Sequence, residues 1–460
     1  MGANKSSESE KDHEEIIAEQ ESNPDEPHNV TIHTSSQLTC IVVGGGQRGW
    51  NYASYALDHP DKLKVVGICD PSKYVRDKFT KKYGLNEENV FTDWVDAVKR
   101  EKFADFVCIC TPDHLHKEVA LSFTNLKYHI LLEKPMATTK NDCIEIVEAC
   151  TTNNVILSVC HVLRYYPANK KIKEIIDTGL IGNVVSIQHI EPVGHWHFAH
   201  SYVRGNWRNT AKSSFSLLAK SCHDIDLFCY WINSQCNSVS SFGSLKHFKK
   251  ENKPAGGGMR CLDCAVEAQC PYSAKKIYLD RTERGYIGWP VSVVSDIEDV
   301  GNVTERLKNG PYGRCVYECD NDVCDNQIVN LQFENGVTVS FTMIAFSEQI
   351  CQRTTRIFGT HGEIKYTGGV TVEHFDFLSG KLSSYNCHPS EAMFSKHLQG
   401  HGGADYYLID SFVKAVQAND SSLIKSGPEE TLQSHLLVFA CEESRLQNKT
   451  LHREPDGTWS

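Results

Sequence analysis

Hydrophobic positions follow two patterns along the chain. Short, unbroken apolar runs recur at residues 38–43, 63–69, 106–110, 130–132 and 155–160. Runs of this length are expected of strands buried on both faces, as in a parallel sheet. Helical spacing fills the intervals, up to residue 57 and over 72–83, 94–99, 116–124 and 141–150. This is the rhythm of βαβ units. The pattern changes after residue 162. A helix over 168–177 stops at Gly179, and residues 184–190 then alternate like a half-buried strand. Asn335-Gly336 between two apolar runs is a hairpin signal. Strands are expected to continue over 353–358, 363–366 and 370–374, with helices near 406–416 and 429–446 closing the chain. The expected fold class is α/β, with an N-terminal parallel domain over 37–162 and a β-rich α+β domain over 163–460. An insertion over 246–326 interrupts the second domain.

Three apolar runs end in residues with chemical potential. The first runs into Gly44-Gly45-Gly46-Gln47-Arg48-Gly49, where Gly44, Gly46 and Gly49 fit G-x-G-x-x-G between a strand and a helix. Glycines there permit a tight turn and let backbone N–H groups approach a pyrophosphate. Gly44, Gly46, Gln47, Arg48 and Gly49 are therefore candidate cofactor contacts, the alternative being an ordinary glycine-rich turn. The second run ends in Asp70, about 20 residues on, where an acid suits the hydroxyls of an adenosine ribose. Asp70 would repel a 2′-phosphate, which favours NAD over NADP, although Arg76 nearby would soften the preference. Its competing role is to cap the helix that starts at Pro71-Ser72. The fourth run ends in Glu133-Lys134-Pro135. Proline ends the ladder, and Lys134 is delivered to the carboxyl end of a strand, where open α/β sheets bind ligands. Lys134 is either a surface lysine at a strand end or a group that touches substrate. Together these features describe an NAD-binding Rossmann domain.

Charge and composition narrow the partners. The formal net charge is -11 and no basic block stands out, which argues against nucleic acid or an anionic membrane as the main partner. No apolar run reaches membrane-spanning length. Nineteen cysteines are scattered over the 460 residues. With no hydrophobic signal segment, they read as reduced thiols in a cytoplasmic protein. Residues 1–36 are polar and acidic and read as a disordered tail.

Several segments together resemble one family. Val42-Val43-Gly44-Gly45-Gly46, Thr111-Pro112 with His116, Glu133-Lys134-Pro135 and Arg164-Tyr165-Tyr166-Pro167 occur in the order and spacing of the glucose–fructose oxidoreductase / inositol dehydrogenase (Gfo/Idh/MocA) family. The resemblance covers nearly everything after the tail. It implies that Thr111, Pro112, His116 and Glu133 belong to the cofactor site and that Lys134 lies beside substrate. It also implies a cis Lys134–Pro135 bond. The second domain should carry a large, mainly antiparallel sheet whose outer face often makes the oligomer contact, so a homo-oligomer is expected.

Residues 215–232 read as one helix carrying Lys220, His223 and Asp226 at i, i+3 and i+6. The resemblance maps His223 and Asp226 onto a His-x-x-Asp helix that faces the nicotinamide. Many members have an acid four residues before the histidine. Here Ala219 stands there with Lys220 next to it, which leaves the proton relay open. An imidazole suits proton transfer at neutral pH, and the competing reading of His223 is a hydrogen-bonded histidine on a packed helix. His195, His197 and His200 invite a metal, but on a strand the third would face away from the other two. Arg164, Tyr202, Trp207, Arg208 and Lys220 are candidate substrate contacts. Cys261, Cys264 and Cys270 have the C-x2-C-x5-C look of a structural zinc knot. Its fourth ligand is left open among Cys315, Cys319, Cys324 and His247, with free buried thiols as the alternative. His401 precedes the helix that Asp405 helps to start.

The expected activity is hydride transfer between NAD and a secondary alcohol of a sugar or cyclitol. His223 would be the general base, Lys134 would stabilise the oxygen, and Asp226 would orient His223 or hold a hydroxyl. Two alternatives stand beside it: a glycosidase-type enzyme that oxidises its sugar transiently, and a non-enzymatic NAD-binding sensor.

Overall fold

The computed structural model describes residues 37–389, 395, 397, 398 and 400–460. The tail expected over 1–36 lies outside the described residues. Two sheets organise the rest. The first contains β1 (Leu38–Val43), β2 (Leu63–Cys69), β3 (Val90–Phe91), β4 (Phe106–Ile109), β5 (His129–Leu132) and β6 (Leu157–Val159). Their order is β3-β2-β1-β4-β5-β6, and all neighbours are parallel. The order reverses between β1 and β4. In sheets of this kind ligands bind outside the carboxyl ends of the strands at such a switch point. Ile41, Val42, Val107, Ile130 and Leu131 are fully buried, as unbroken apolar strands should be.

The second sheet has nine strands: β7 (Val184–Pro192), β8 (Cys236–Ser244), β9 (Asn326–Phe333), β10 (Thr338–Ile344), β11 (Thr354–Gly359), β12 (Gly362–Tyr366), β13 (Thr371–Asp376), β14 (Leu382–Asn386) and β15 (Leu451–His452). They run β14-β13-β12-β11-β7-β10-β9-β8-β15, antiparallel throughout except where β10 lies parallel to β7. Gly336 takes φ +85° in the β9–β10 hairpin, a left-handed conformation that glycine tolerates. Ile187, Val329, Phe341 and Ile357 are buried on the face that receives the helices Cys222–Ile232 and Pro428–Gln447.

Two expected elements differ. Residues 215–232 do not form one helix: Ser216–Ala219 and Cys222–Ile232 are separated by a break in which Lys220 takes φ -109° and ψ -59°. Residues 195–200 are not a strand but the short helix His195–Phe198 followed by a wider turn over Ala199–Arg204. The insertion falls between the neighbouring strands β8 and β9. It has its own small core, with Tyr278, Val291, Val303 and Leu307 buried together.

Candidate active site

The glycine turn is sterically determined. Gly44 takes φ +87°, and a Cβ there would stand 2.5 Å from the Cys110 carbonyl oxygen. A Cβ on Gly49 would stand 2.1 Å from the Gly44 oxygen. These contacts let the helix Gln47–Ala53 start directly against the ends of β1 and β4. Gly46 differs, because nothing lies within 4 Å of its Cβ position, so its backbone is open to a ligand. Asp70 at the end of β2 accepts hydrogen bonds from Gly45 N at 2.8 Å and from Ser72 N at 2.8 Å. The carboxylate therefore both supports the next helix and lies over the glycine turn. Arg76 donates to the Asp70 carbonyl oxygen. At the end of β4 the Thr111 hydroxyl is buried without a partner. An open glycine backbone, an acid beside it and an unsatisfied hydroxyl are the features that a dinucleotide would use.

His116 lies behind this surface. Its ring is fully buried and is hydrogen-bonded to Pro135 O at 2.7 Å and Thr111 O at 3.0 Å. It ties the ends of β4 and β5 together instead of facing a ligand. The Lys134–Pro135 bond is cis. Glu133 accepts from Arg48 Nε at 2.7 Å and from Tyr52 OH at 3.0 Å. Arg48 also makes a two-pronged pair with the buried Asp405, at 2.7 and 2.9 Å. Burial works against ionisation of Asp405, but Arg48 and His401 outweigh it and hold the carboxyl far below its usual range.

Lys134 reaches across from β5 and donates to Ala219 O at 2.7 Å. That carbonyl is the last of the helix Ser216–Ala219, so the unexpected break supplies the acceptor that holds the lysine. Just beyond the break stands His223, which is 5% exposed, with Nδ1 buried and without a partner. Burial and the neighbouring Lys134, His161 and His401 push its pKa well below the usual imidazole value, so the ring is neutral at physiological pH. The His223 ring meets His161 edge-on at 5.5 Å and His401 at 6.1 Å. His401 in turn bonds Asp405 at 2.9 Å. Lys134 and His223 are thus brought together.

Asp226 does not orient His223. Its two oxygens accept from Arg164 Nε at 2.7 Å and Nη2 at 2.8 Å, and His161 lies 3.6 Å away. Burial opposes the Asp226 charge, while Arg164 and His161 together hold its pKa below normal. The same pairing removes Arg164 from the substrate wall: its guanidinium is 4% exposed and also donates to Lys425 O. Arg208 turns to Asp320 in the insertion at 2.8 Å. Lys220 leaves the helix at the break and lies 2.9 Å from Cys351 Sγ and 3.3 Å from Glu191. Burial opposes its charge too, but Cys351 and Glu191 keep it protonated. Tyr202 is buried against Phe198, 6.1 Å from the Trp207 ring. The Trp207 indole N–H bonds Asp113 at 3.1 Å, next to the end of β4.

The three clustered histidines diverge. His195 bonds Ser347 O, His197 lies 3.4 Å from Cys351 Sγ, and His200 bonds Tyr278 OH. Among the described residues no three His, Cys, Asp or Glu side chains are gathered as ligands of one ion. The zinc knot expected of Cys261, Cys264 and Cys270 is therefore not a formed coordination sphere. His161, Asp405 and His435, whose ring meets His161 at 5.2 Å and accepts from Met136 N at 2.9 Å, are not among the expected site residues. They come from segments far apart in the chain, and only the folded structure joins them.

Comparison with known proteins agrees with this geometry. The profile of an oxidoreductase family with an NAD-binding Rossmann fold matches residues 38–161. The profile of the family's C-terminal alpha/beta domain matches residues 173–452. The putative oxidoreductase YteT of Bacillus subtilis (strain 168) is 24% identical over 327 residues, covering 69% of this chain and 74% of its own. The 2,7-anhydro-N-acetylneuraminate hydratase of Escherichia coli (strain K12) is 26% identical over 209 residues, covering 44% of this chain and 51% of its own. The chain thus spans about half the length of that hydratase. A structure of levoglucosan dehydrogenase with NADH and levoglucosan superposes with a TM-score of 0.65 at 18% identity, covering 90% of this chain and 99% of that one. With both family profiles matched in order over most of its length, the chain belongs to the Gfo/Idh/MocA family of NAD-binding oxidoreductases.

Proposed function

We propose that the protein oxidises a secondary alcohol of a sugar or cyclitol to the ketone. The observation that carries this reading is His223, a neutral, nearly buried imidazole with an unpartnered nitrogen beside the Lys134 amine. The glycine turn, Asp70 and Thr111 would hold NAD, which supplies the hydride acceptor. Asp70 favours NAD over NADP by bonding the ribose and repelling a 2′-phosphate. His223 takes the hydroxyl proton, and the Lys134 ammonium stabilises the charge that develops on the oxygen. His401, partly exposed and bonded to Asp405, gives that proton a route to solvent. Trp207, whose indole N–H bonds Asp113 next to the end of β4, and Lys220 would meet the remaining hydroxyls.

The similarity to levoglucosan dehydrogenase supports a carbohydrate substrate. The similarity to a hydratase supports a second reading, in which the hydride is returned to the substrate and no net NADH appears. A panel of sugars, anhydrosugars and inositols separates the two. Net NADH with product ketone supports the first. Product formation without NADH supports the second, and no product across the panel opposes both. We further propose a cytoplasmic protein, supported by cysteines that are all free thiols. A homo-oligomer formed through the outer face of the second sheet is supported by the exposure of Ile190, Phe242 and Ile328 there.

A further inference from the structure

Cys261, Cys264, Cys270 and Cys315 line one apolar cavity in the insertion, together with Arg204. Cys315 is joined to the other three by a short antiparallel bridge. Cys261 N donates to Gly313 O and Cys315 N donates to Met259 O, each at 2.9 Å, around the paired Arg260 and Arg314. The bridge holds Cys261 and Cys315 on neighbouring strands.

Two observations make this more than a thiol cluster. Arg204 is 1% exposed; among the described residues no carboxylate forms an ion pair with it, and the Glu267 carboxylate that shares the cavity accepts from Ser273 instead. Its Nε bonds Arg314 O, and its Nη2 bonds Tyr272 O and lies 3.4 Å from Cys261 Sγ. Its Nη1 is buried with no partner. A buried cation without a counter-charge is costly, and neutral thiols do not supply one. Four thiolates around a divalent ion carry a net charge of about -2, which does. In addition, Gly258 N donates to Cys264 Sγ at 3.3 Å, and N–H groups directed at sulfur are the usual outer support of a thiolate ligand.

We propose that Cys261, Cys264, Cys270 and Cys315 bind one zinc ion as a structural site, with Arg204 as its outer counter-charge. The four thiols are not gathered at ligand distance in the structure, so binding requires them to turn toward one point in the cavity they share. The other candidate ligands, Cys319, Cys324 and His247, are not among the residues that line the cavity. His247 bonds Tyr317 OH, and the Cys319 thiol donates to Cys315 O. Four sulfurs fill a tetrahedral sphere, so the ion holds the insertion in shape and takes no part in hydride transfer.

The test uses the full chain purified without a metal-affinity column. Elemental analysis should find one zinc per chain, and replacing it with Co(II) should give sulfur-to-metal charge-transfer and tetrahedral d–d bands. Cys315→Ser should lose zinc at least tenfold more readily to a chelator, while Cys319→Ser keeps one zinc. If Cys315→Ser is insoluble, the cobalt spectrum and the number of thiols that a chelator unmasks in the native chain, four being expected, decide the matter. Iron with acid-labile sulfide, no cobalt charge-transfer band, or unchanged zinc retention in a soluble Cys315→Ser would overturn the proposal.

Discussion

The ends of the parallel strands and the helix that carries His223 treat their ionisable groups differently. On the parallel-sheet side Arg48 is shared between Glu133 and Asp405, and the His116 ring is held against the carbonyl oxygens of Pro135 and Thr111. On the helix of the second domain His223 has a buried nitrogen with no partner. Groups whose hydrogen bonds are all made hold a shape. A neutral base left without a partner is costly to bury, and such groups gather where chemistry is done. Arg164 and Asp226 show the boundary between the two. They lie on the His223 side, one of them on the same helix, yet their pairing makes them part of the scaffold.

The largest effect that should separate the two sides is on stability. Asp226→Ala leaves the Arg164 guanidinium buried and unpaired, which should cost about 3–5 kcal/mol in denaturant unfolding. Arg164→Met combined with Asp226→Leu should recover most of it. A small effect of Asp226→Ala would show that the pair is solvated and that Asp226 is available to substrate after all.

Acid should reveal the buried neutral rings next. Burial takes His161 down to about 3 and His435 down to about 4, against about 6.5 in an unfolded chain. A lowered folded-state pKa means that the unfolded chain takes up the proton first. The stability these rings preserve is therefore complete above about pH 6.5 and lost as pH falls toward their folded values. The slope is about 1.4 kcal/mol per pH unit for each such ring. Unfolding free energies measured at pH 7 and pH 5 should differ accordingly, and His161→Gln should remove one ring's share. An unchanged slope in His161→Gln would mean that this ring is protonated in the folded protein.

The smallest effect concerns the cofactor. Asp70→Ala should narrow the preference for NAD over NADP about tenfold, the scale of one hydrogen bond to a charged group. Titration of both dinucleotides into the wild-type and variant proteins measures it. Tighter binding of NADP by the wild type would reverse the assignment.

Much of the parallel-sheet side is legible in the sequence because it is local. A strand, the turn that ends it and the helix that follows are contiguous, so Gly44, Asp70 and Lys134 can each be placed from their neighbours. Contacts that join distant segments are not legible in this way. Asp405 meets Arg48 across 357 positions, and no periodicity announces such a pair. The helix break at Lys220 is hidden because residues 215–232 satisfy helical spacing throughout. What ends the first helix is tertiary: Lys220 is drawn to Glu191 and Cys351, and Lys134 takes the Ala219 carbonyl. The alternation of β7 correctly marks an inner face, but its polar members His189 and Glu191 are also buried, bonded to or beside Asp224 and Arg353. The family resemblance implies a shared role for His223 and Asp226, and only the position of Arg164 divides them.

The central claim is that Lys134 and His223 serve one proton-transfer step. Single-turnover NADH formation, on the best substrate of the carbohydrate panel, tests it most directly. His223→Ala and Lys134→Ala should each slow the step by about 10² or more, with NAD affinity unchanged because the glycine turn and Asp70 are untouched. The double variant should lose less than the product of the two, since groups that act as a unit are not additive. Near-wild-type turnover in both single variants would contradict the account.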